Sequence, residues 1–362
     1  MEPLLLALHD PQALPGLALP QWEALVSQAR RTNLLSRVAA ALDTDNLLRE
    51  VPAAPRAHLL GARALAQAQA AAVRREVAAI DHALSETGVP IVLLKGAAYL
   101  LAGLPAARGR LFSDIDVLVP RAALTQVENA LMLAGWAAMK TTPYDQRYYR
   151  RWMHELPPLK HVARQTVLDV HHAILPLTAR LKPDSARLLA ASRSLPGEPR
   201  LRVLAPVDMV LHSATHLFCN EDVGNSLRDL VDLDGLLRSL TDQDDGWPRL
   251  TVRAAELDLT RPLYYALRYA AQILDTPIPV GVRRAAELGR PPPWLGTLMD
   301  ALFLRALCPG GTMHGLASFA RGLLYVRAHW LRMPPLLLAR HLLTKAFHRE
   351  AKGRQAERQA TG

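Results

Sequence analysis

The apolar positions of this chain change period along its length, and each change marks an element. Up to about residue 88 they recur at helical spacing, as in Trp22–Ala41 and Arg56–Glu86, with Pro52 and Pro55 between the two. The alanine-rich run from Ala62 to Ala72 is a strong helix former, and Leu59, Leu65, Val73, Val77, Ile80 and Leu84 give it a side to bury. Gly88 and Pro90 stop that helix. Val89–Leu94 is a short continuous apolar run, which suits a strand covered on both faces. A second strand runs through Ser113–Val119, where Ile115, Val117 and Val119 share one face. Arg121–Ala134 predicts an amphipathic helix with Leu124, Val127, Leu131 and Met132 inward. His154–Ala163 is a candidate strand, confined to an edge by its two prolines, and Thr166–Ala173 is a clear one. From Leu175 the strand signals vanish and helical spacing returns at Pro206–Cys219, Asn225–Leu240, Thr251–Leu274, Trp294–Leu307, Ala317–Trp330 and Pro334–Phe347. The expectation is an α+β fold: a small mixed-sheet core over 89–175, a helical N-terminal segment over 1–88, and a large helical C-terminal domain over 176–362.

Composition narrows the partners. The net charge of +10 favours an anionic one: nucleotide phosphates, nucleic acid or an acidic membrane surface. Two cysteines, Cys219 and Cys308, make no disulfide framework and suit a reducing compartment. The start, MEPLLLALHD, lacks the charged head and long apolar centre of a signal peptide. No apolar stretch reaches the roughly 18 residues of a membrane span. A cytoplasmic protein is expected; the Leu-rich basic C-terminal helix reads first as packing against the helical domain, with peripheral contact to an anionic membrane through the basic C-terminal helices as the alternative.

The chemistry gathers around the second strand. Asp114 and Asp116 are two apart, so their carboxylates share a strand face. Such a pair repels unless a cation lies between, and a hard divalent ion fits oxygen ligands. Asp169 adds a third carboxylate in the middle of an apolar strand, where it needs an arginine or a metal. Lys95-Gly96-Ala97 sits where the first strand turns into a helix; taken alone it reads first as a turn, with a phosphate seat made of free N–H groups and the Lys95 ammonium as the alternative. Arg110 fits either a phosphate contact or a salt bridge to one of the aspartates. His171 shares the face of Asp169, but the spacing of His154, His161, His171 and His172 matches no compact zinc motif. His212 and His216 have helical i, i+4 spacing without the glutamate of His-Glu-x-x-His and read as one helix face. The basic aromatic run Tyr144–Trp152 reads first as loop plus helix, with stacking on nucleic acid as the alternative.

Leu94-Lys95-Gly96, Arg110, Ser113-Asp114-Ile115-Asp116-Val117-Leu118-Val119 and Leu168-Asp169-Val170-His171 together resemble the active-site signature of the DNA-polymerase-β-like nucleotidyltransferase superfamily. The nearer likeness is to a bacterial family of uncharacterised nucleotidyltransferases. It is sharpest over 89–175 and weaker around His212 and Leu227-Arg228-Asp229-Leu230. The resemblance implies transfer of an NMP from an NTP to an acceptor hydroxyl with release of pyrophosphate, using Mg2+ or Mn2+. It implies Asp114, Asp116 and Asp169 as catalytic and metal-holding, and Lys95, Gly96, Ala97, Arg110 and Ser113 as nucleotide-binding. The acceptor would be a small molecule, a protein or an RNA, a toxin-like modifier of protein or tRNA being one version. Ala97 departs from the usual Ser or Gly after Gly96. That departure keeps open a nucleotide- or nucleic-acid-binding protein that has the fold without the chemistry.

Overall fold

The computed structural model describes residues 2–139, 142–220, 224–242, 245–308 and 314–334. Seven strands form one mixed sheet: β1 (Ile91–Leu93), β2 (Ile115–Leu118), β3 (Trp136–Ala138), β4 (Leu159–His161), β5 (Val167–His171), β6 (Arg193–Leu195) and β7 (Glu198–Val203), in the order β3-β4-β5-β2-β1-β7-β6. β1 and β2 lie at the centre and every residue in them is buried, which is why β1 reads as an apolar run. β2 runs antiparallel to β1 and parallel to β5, and β7 runs parallel to β1.

Two strand expectations fail for physical reasons. β4 is an inner strand, paired on both sides by β3 and β5. Pro157 and Pro158 precede its first residue, so their missing N–H groups cost the ladder nothing. The edge is β3, three residues long and too short to show a period. The strand signals also do not end at Leu175. Pro196-Gly197 turns β6 into β7, with Gly197 at φ 77°, and β7 extends the sheet beside β1 with Ile91 opposite Leu201. Its period-2 signal is real but brief: Arg200 and Arg202 alternate with the buried Leu201 and Val203.

The helices follow their apolar stripes with small exceptions. Ala53–Ala83 spans 31 residues and buries Leu59, Val73, Val77 and Ile80, whereas Leu65 is 50% exposed. In Leu124–Leu133, Val127 and Leu131 face inward and Met132 is 56% exposed, since a residue next to an inward leucine is turned about 100° from it. The Thr251–Leu274 stretch is two helices, Gly246–Glu256 and Thr260–Leu274, parted where Asp258 takes a left-handed φ of 59°. One apolar core runs from Leu4 through the sheet to Leu324, so the flanking helices and the sheet stabilise each other; each fully buried Leu contributes about 2 kcal/mol.

An ion cluster ties three distant segments at the centre. Asp232, on helix Ser226–Ser239, accepts from Arg37 of helix Leu35–Thr44 and, at 2.8 Å, from Nε of Arg110 in the loop before β2. All three side chains are buried. No helix among the described residues is long and apolar enough to cross a membrane. The leucine-rich Pro334–Phe347 stretch lies, apart from Pro334, outside the described residues.

Candidate active-site cleft

The parallel pairing of β2 with β5 sets Asp116 directly opposite Asp169. Asp114 precedes β2 by one residue and accepts from the Ser113 hydroxyl at 2.8 Å. At the end of β1 the chain turns sharply: Lys95 holds a positive φ of 47°, which costs a non-glycine residue about 1 kcal/mol. Helix Lys95–Leu101 starts there, and the Lys95 ammonium donates to Asp116 Oδ1 at 2.7 Å. A cleft of about 400 Å³ opens over these groups. Lys95, Gly96, Arg110, Ser113, Asp114, Asp116 and Asp169 all line it. Ala97 is packed into the apolar core instead.

The charges in the cleft are unevenly matched. Burial works against ionisation of Asp116, but the Lys95 ammonium and the His171 bond outweigh it and hold this carboxyl well below the usual range. Asp169 has no such help. Burial first, then the neighbouring Asp116 and Glu155, push its carboxyl up to about 7. Its Oδ1 is buried without a hydrogen-bond partner among the described residues. An unpaired carboxylate oxygen beside further carboxylates is the donor chemistry that a hard divalent cation completes. The residues present therefore fit such an ion.

Two reassignments concern the glycine and the arginine. A Cβ on Gly96 would overlap Nη1 of Arg110 and stand 3.1 Å from the Phe112 ring. The guanidinium already lies against that backbone and is tied by Asp232, so a side chain at 96 would have to displace it. Arg110 in turn bridges to neither strand aspartate. Its Nε belongs to Asp232, and its proton affinity is raised because that ion pair outweighs burial.

His171 reaches further into the site than its strand face alone indicates. Its Nε2 lies 3.0 Å from Asp116 Oδ1 and its Nδ1 3.3 Å from Glu155 Oε2. Glu155, which the sequence reading missed, is brought there by a single antiparallel bridge to His171. The cue was slight: a His-Glu pair ahead of two prolines. His154 stacks near the His171 ring at 5.2 Å between centroids. His161 stands apart from this group, edge-on to Trp136 and accepting from the Ala163 and Arg164 amides.

Helix Pro206–Cys219 supplies the opposite wall. His212 and His216 share one helix face, His212 buried and His216 at the cleft. Burial, then the Lys95 charge, lowers His212 to about 3 and His216 well below its usual range, so both stay neutral. His216 lines the cleft with Asn220, Arg228, Asp229 and Arg332. Arg332 donates to Asn220 at 2.8 Å, and Arg228 to Asp229 at 2.9 Å. The basic aromatic run forms helix Pro143–Trp152, N-capped by Thr142, with no buried residue. Tyr148 and Tyr149 from it border the cleft mouth.

Fold and site together define a mixed-sheet α+β protein with a cleft lined by carboxylates, arginines and a lysine, the mixture that a cation-bearing phosphate ligand requires. Residues 19–275 match the family of uncharacterised nucleotidyltransferases, and the chain belongs to that family; at this level it is a transferase of nucleotidyl groups. The match takes in the helices from Leu19 to the sheet and the wall helices after it, well beyond the strand motifs. No curated protein and no solved structure matches the chain.

Proposed function

We propose that the chain moves an NMP from an NTP to an acceptor hydroxyl and releases pyrophosphate, in the manner of DNA-polymerase-β-like nucleotidyltransferases. The observation that carries this is the Asp116–Asp169 pairing across β2 and β5, with Asp169 Oδ1 buried and unpartnered. Asp114, Asp116 and Asp169 would hold Mg2+, or Mn2+ in its place. Such an ion, when bound, neutralises phosphate charge and lowers the pKa of the acceptor hydroxyl.

The chain's own groups have separable parts. Asp169 takes the hydroxyl proton as general base. The acceptor oxygen bonds to the α-phosphorus, the bond to the bridging oxygen of the β-phosphate breaks, and pyrophosphate leaves. Lys95, the Gly96 and Ala97 amides, and Ser113 position the phosphates. Arg110, fixed by Asp232, adds positive potential from below Gly96. On this reading residues 89–175 carry the chemistry, while the described helices before and after them brace and wall the cleft. The acceptor is a small molecule, a protein side chain or an RNA end, in the cytoplasm. Peripheral contact with an acidic membrane belongs to the same proposal. Leu316, Phe319, Leu323, Val326 and Trp330 form an exposed row along helix His314–Arg332, the apolar face an interfacial helix needs. Anionic-vesicle binding that survives truncation after residue 313 would remove that part.

A second reading, nucleotide binding without transfer, is favoured by Asp116 Oδ1 already being engaged by both Lys95 and His171. One experiment separates the two. The purified chain is incubated with each α-32P NTP, Mg2+ or Mn2+, and a cell extract, beside an Asp114→Ala/Asp116→Ala control. Label on a protein, RNA or small-molecule fraction, absent from the control, supports transfer. NTP binding that depends on the aspartates, with no label moved, supports the second reading.

A further inference from the structure

His154, Glu155 and His171 stand beside the aspartates but form a different donor set. One ligand atom from each lies within 4.8 Å of the other two. The backbone holds them there: Leu156 N–H donates to the Val170 carbonyl at 2.9 Å and His172 N–H to the His154 carbonyl at 2.8 Å, so the His154-Glu155 step is pinned alongside β5. His171 Nε2 is directed at Asp116 Oδ1, and a ring N–H donated there leaves Nδ1 with a lone pair facing Glu155 Oε2 at 3.3 Å. Two acceptors do not face each other at that distance without something positive between them. Donors about 2.0 to 2.1 Å from a tetrahedral ion lie roughly 3.3 Å apart, so the spacing suits a first-row metal. A metal-binding imidazole characteristically gives its other N–H to a carboxylate, the arrangement His171 has with Asp116. His154 Nδ1 is buried without a hydrogen-bond partner among the described residues, and its other ring nitrogen, Nε2, lies 4.0 Å from Glu155 Oε2.

We infer that His154, Glu155 and His171 form a binding site for a borderline-soft divalent ion, represented by Zn2+, distinct from the all-oxygen aspartate set. Imidazole nitrogens favour Zn2+ over Mg2+. Three protein ligands leave a fourth position directed into the cleft, where a water or an anionic oxygen would complete the tetrahedron. The rival occupant is a proton, which would make His171 an imidazolium between Asp116 and Glu155. The inference does not rest on nucleotidyl transfer, because it concerns metal binding by other residues.

The test uses the full chain, stripped with chelator and titrated with Zn2+ against a chromogenic competitor, with Co2+ absorption as a second readout. The expected result is one ion bound per chain, with a tetrahedral Co2+ band. Affinity should fall at least about 100-fold in Glu155→Gln and in His154→Ala, and stay within about threefold of wild type in Asp114→Asn. Circular dichroism checks the fold of each variant, and Glu155→Gln, nearly isosteric, decides the matter if His154→Ala unfolds. Wild-type chain that binds no Zn2+ at micromolar concentration overturns the inference in favour of the proton. Undiminished Zn2+ binding by Glu155→Gln, or loss in Asp114→Asn alone, overturns it in favour of the aspartates.

Discussion

Asp169→Asn tests the reading of the cleft through stability as well as activity. The wild-type carboxyl is moved from 3.8 to about 7 by burial and by Asp116 and Glu155. Each tenfold change in proton affinity is about 1.4 kcal/mol, so ionised Asp169 costs the folded, metal-free chain about 4 kcal/mol. The folded state has the higher pKa, so it binds the proton more tightly than the unfolded chain does. That contribution is fully present below the unfolded value of 3.8 and is lost as pH rises through about 7. Asparagine keeps the shape without the charge. In chelator, the variant should therefore match wild type near pH 4 and exceed it at pH 8 by up to about 4 kcal/mol, less whatever the neighbours relax. Urea denaturation followed by circular dichroism at both pH values measures this. Adding Mg2+ at 100 times its Kd should raise wild type at pH 8 by about 2.7 kcal/mol and raise the variant far less, while nucleotidyl transfer by the variant falls. A variant less stable than wild type at pH 8 in chelator, or a difference that ignores pH, would refute the account of Asp169 as a charge awaiting a cation.

Three further outcomes follow from the geometry. Gly96→Ala forces a Cβ onto Arg110 and should cost about 1 to 3 kcal/mol in urea denaturation, because packed neighbours must move; a neutral result would return the glycine to a purely ligand-facing role. Asp232→Ala should destabilise more than Arg110→Met, by about 3 to 5 kcal/mol against less, since it strands two buried guanidiniums whereas the second change leaves Asp232 paired with Arg37; equal losses would contradict that. Tyr148→Ala and Tyr149→Ala, which remove half-buried rings at the cleft, should cost about 1 kcal/mol or less of stability and raise KM for the nucleotide or the acceptor several-fold with kcat kept, which steady-state kinetics reads.

The sequence by itself determined the parts whose signal is local. The buried run of β1, the strand patterns of β2 and β5, the two-residue spacing of Asp114 and Asp116, and the stripe of the Ala53–Ala83 helix each lie within one element, where period alone assigns a face. The family likeness follows from those same short stretches. What the tertiary structure decided depends on partners far away in the chain. Arg110 finds Asp232 at a separation of 122 residues, and nothing near residue 110 announces that partner. Glu155 enters the cleft only because one bridge aligns it with His171. β4 becomes an inner strand only once β3 covers it, and β7 joins β1 across more than a hundred residues. Local periodicity fixes which side of an element is buried, but loop closure and sheet order fix which charges meet there. The electrostatics of the cleft, from the neutral His212 to the raised Asp169, arise at that second level because they depend on burial and on neighbours from other segments.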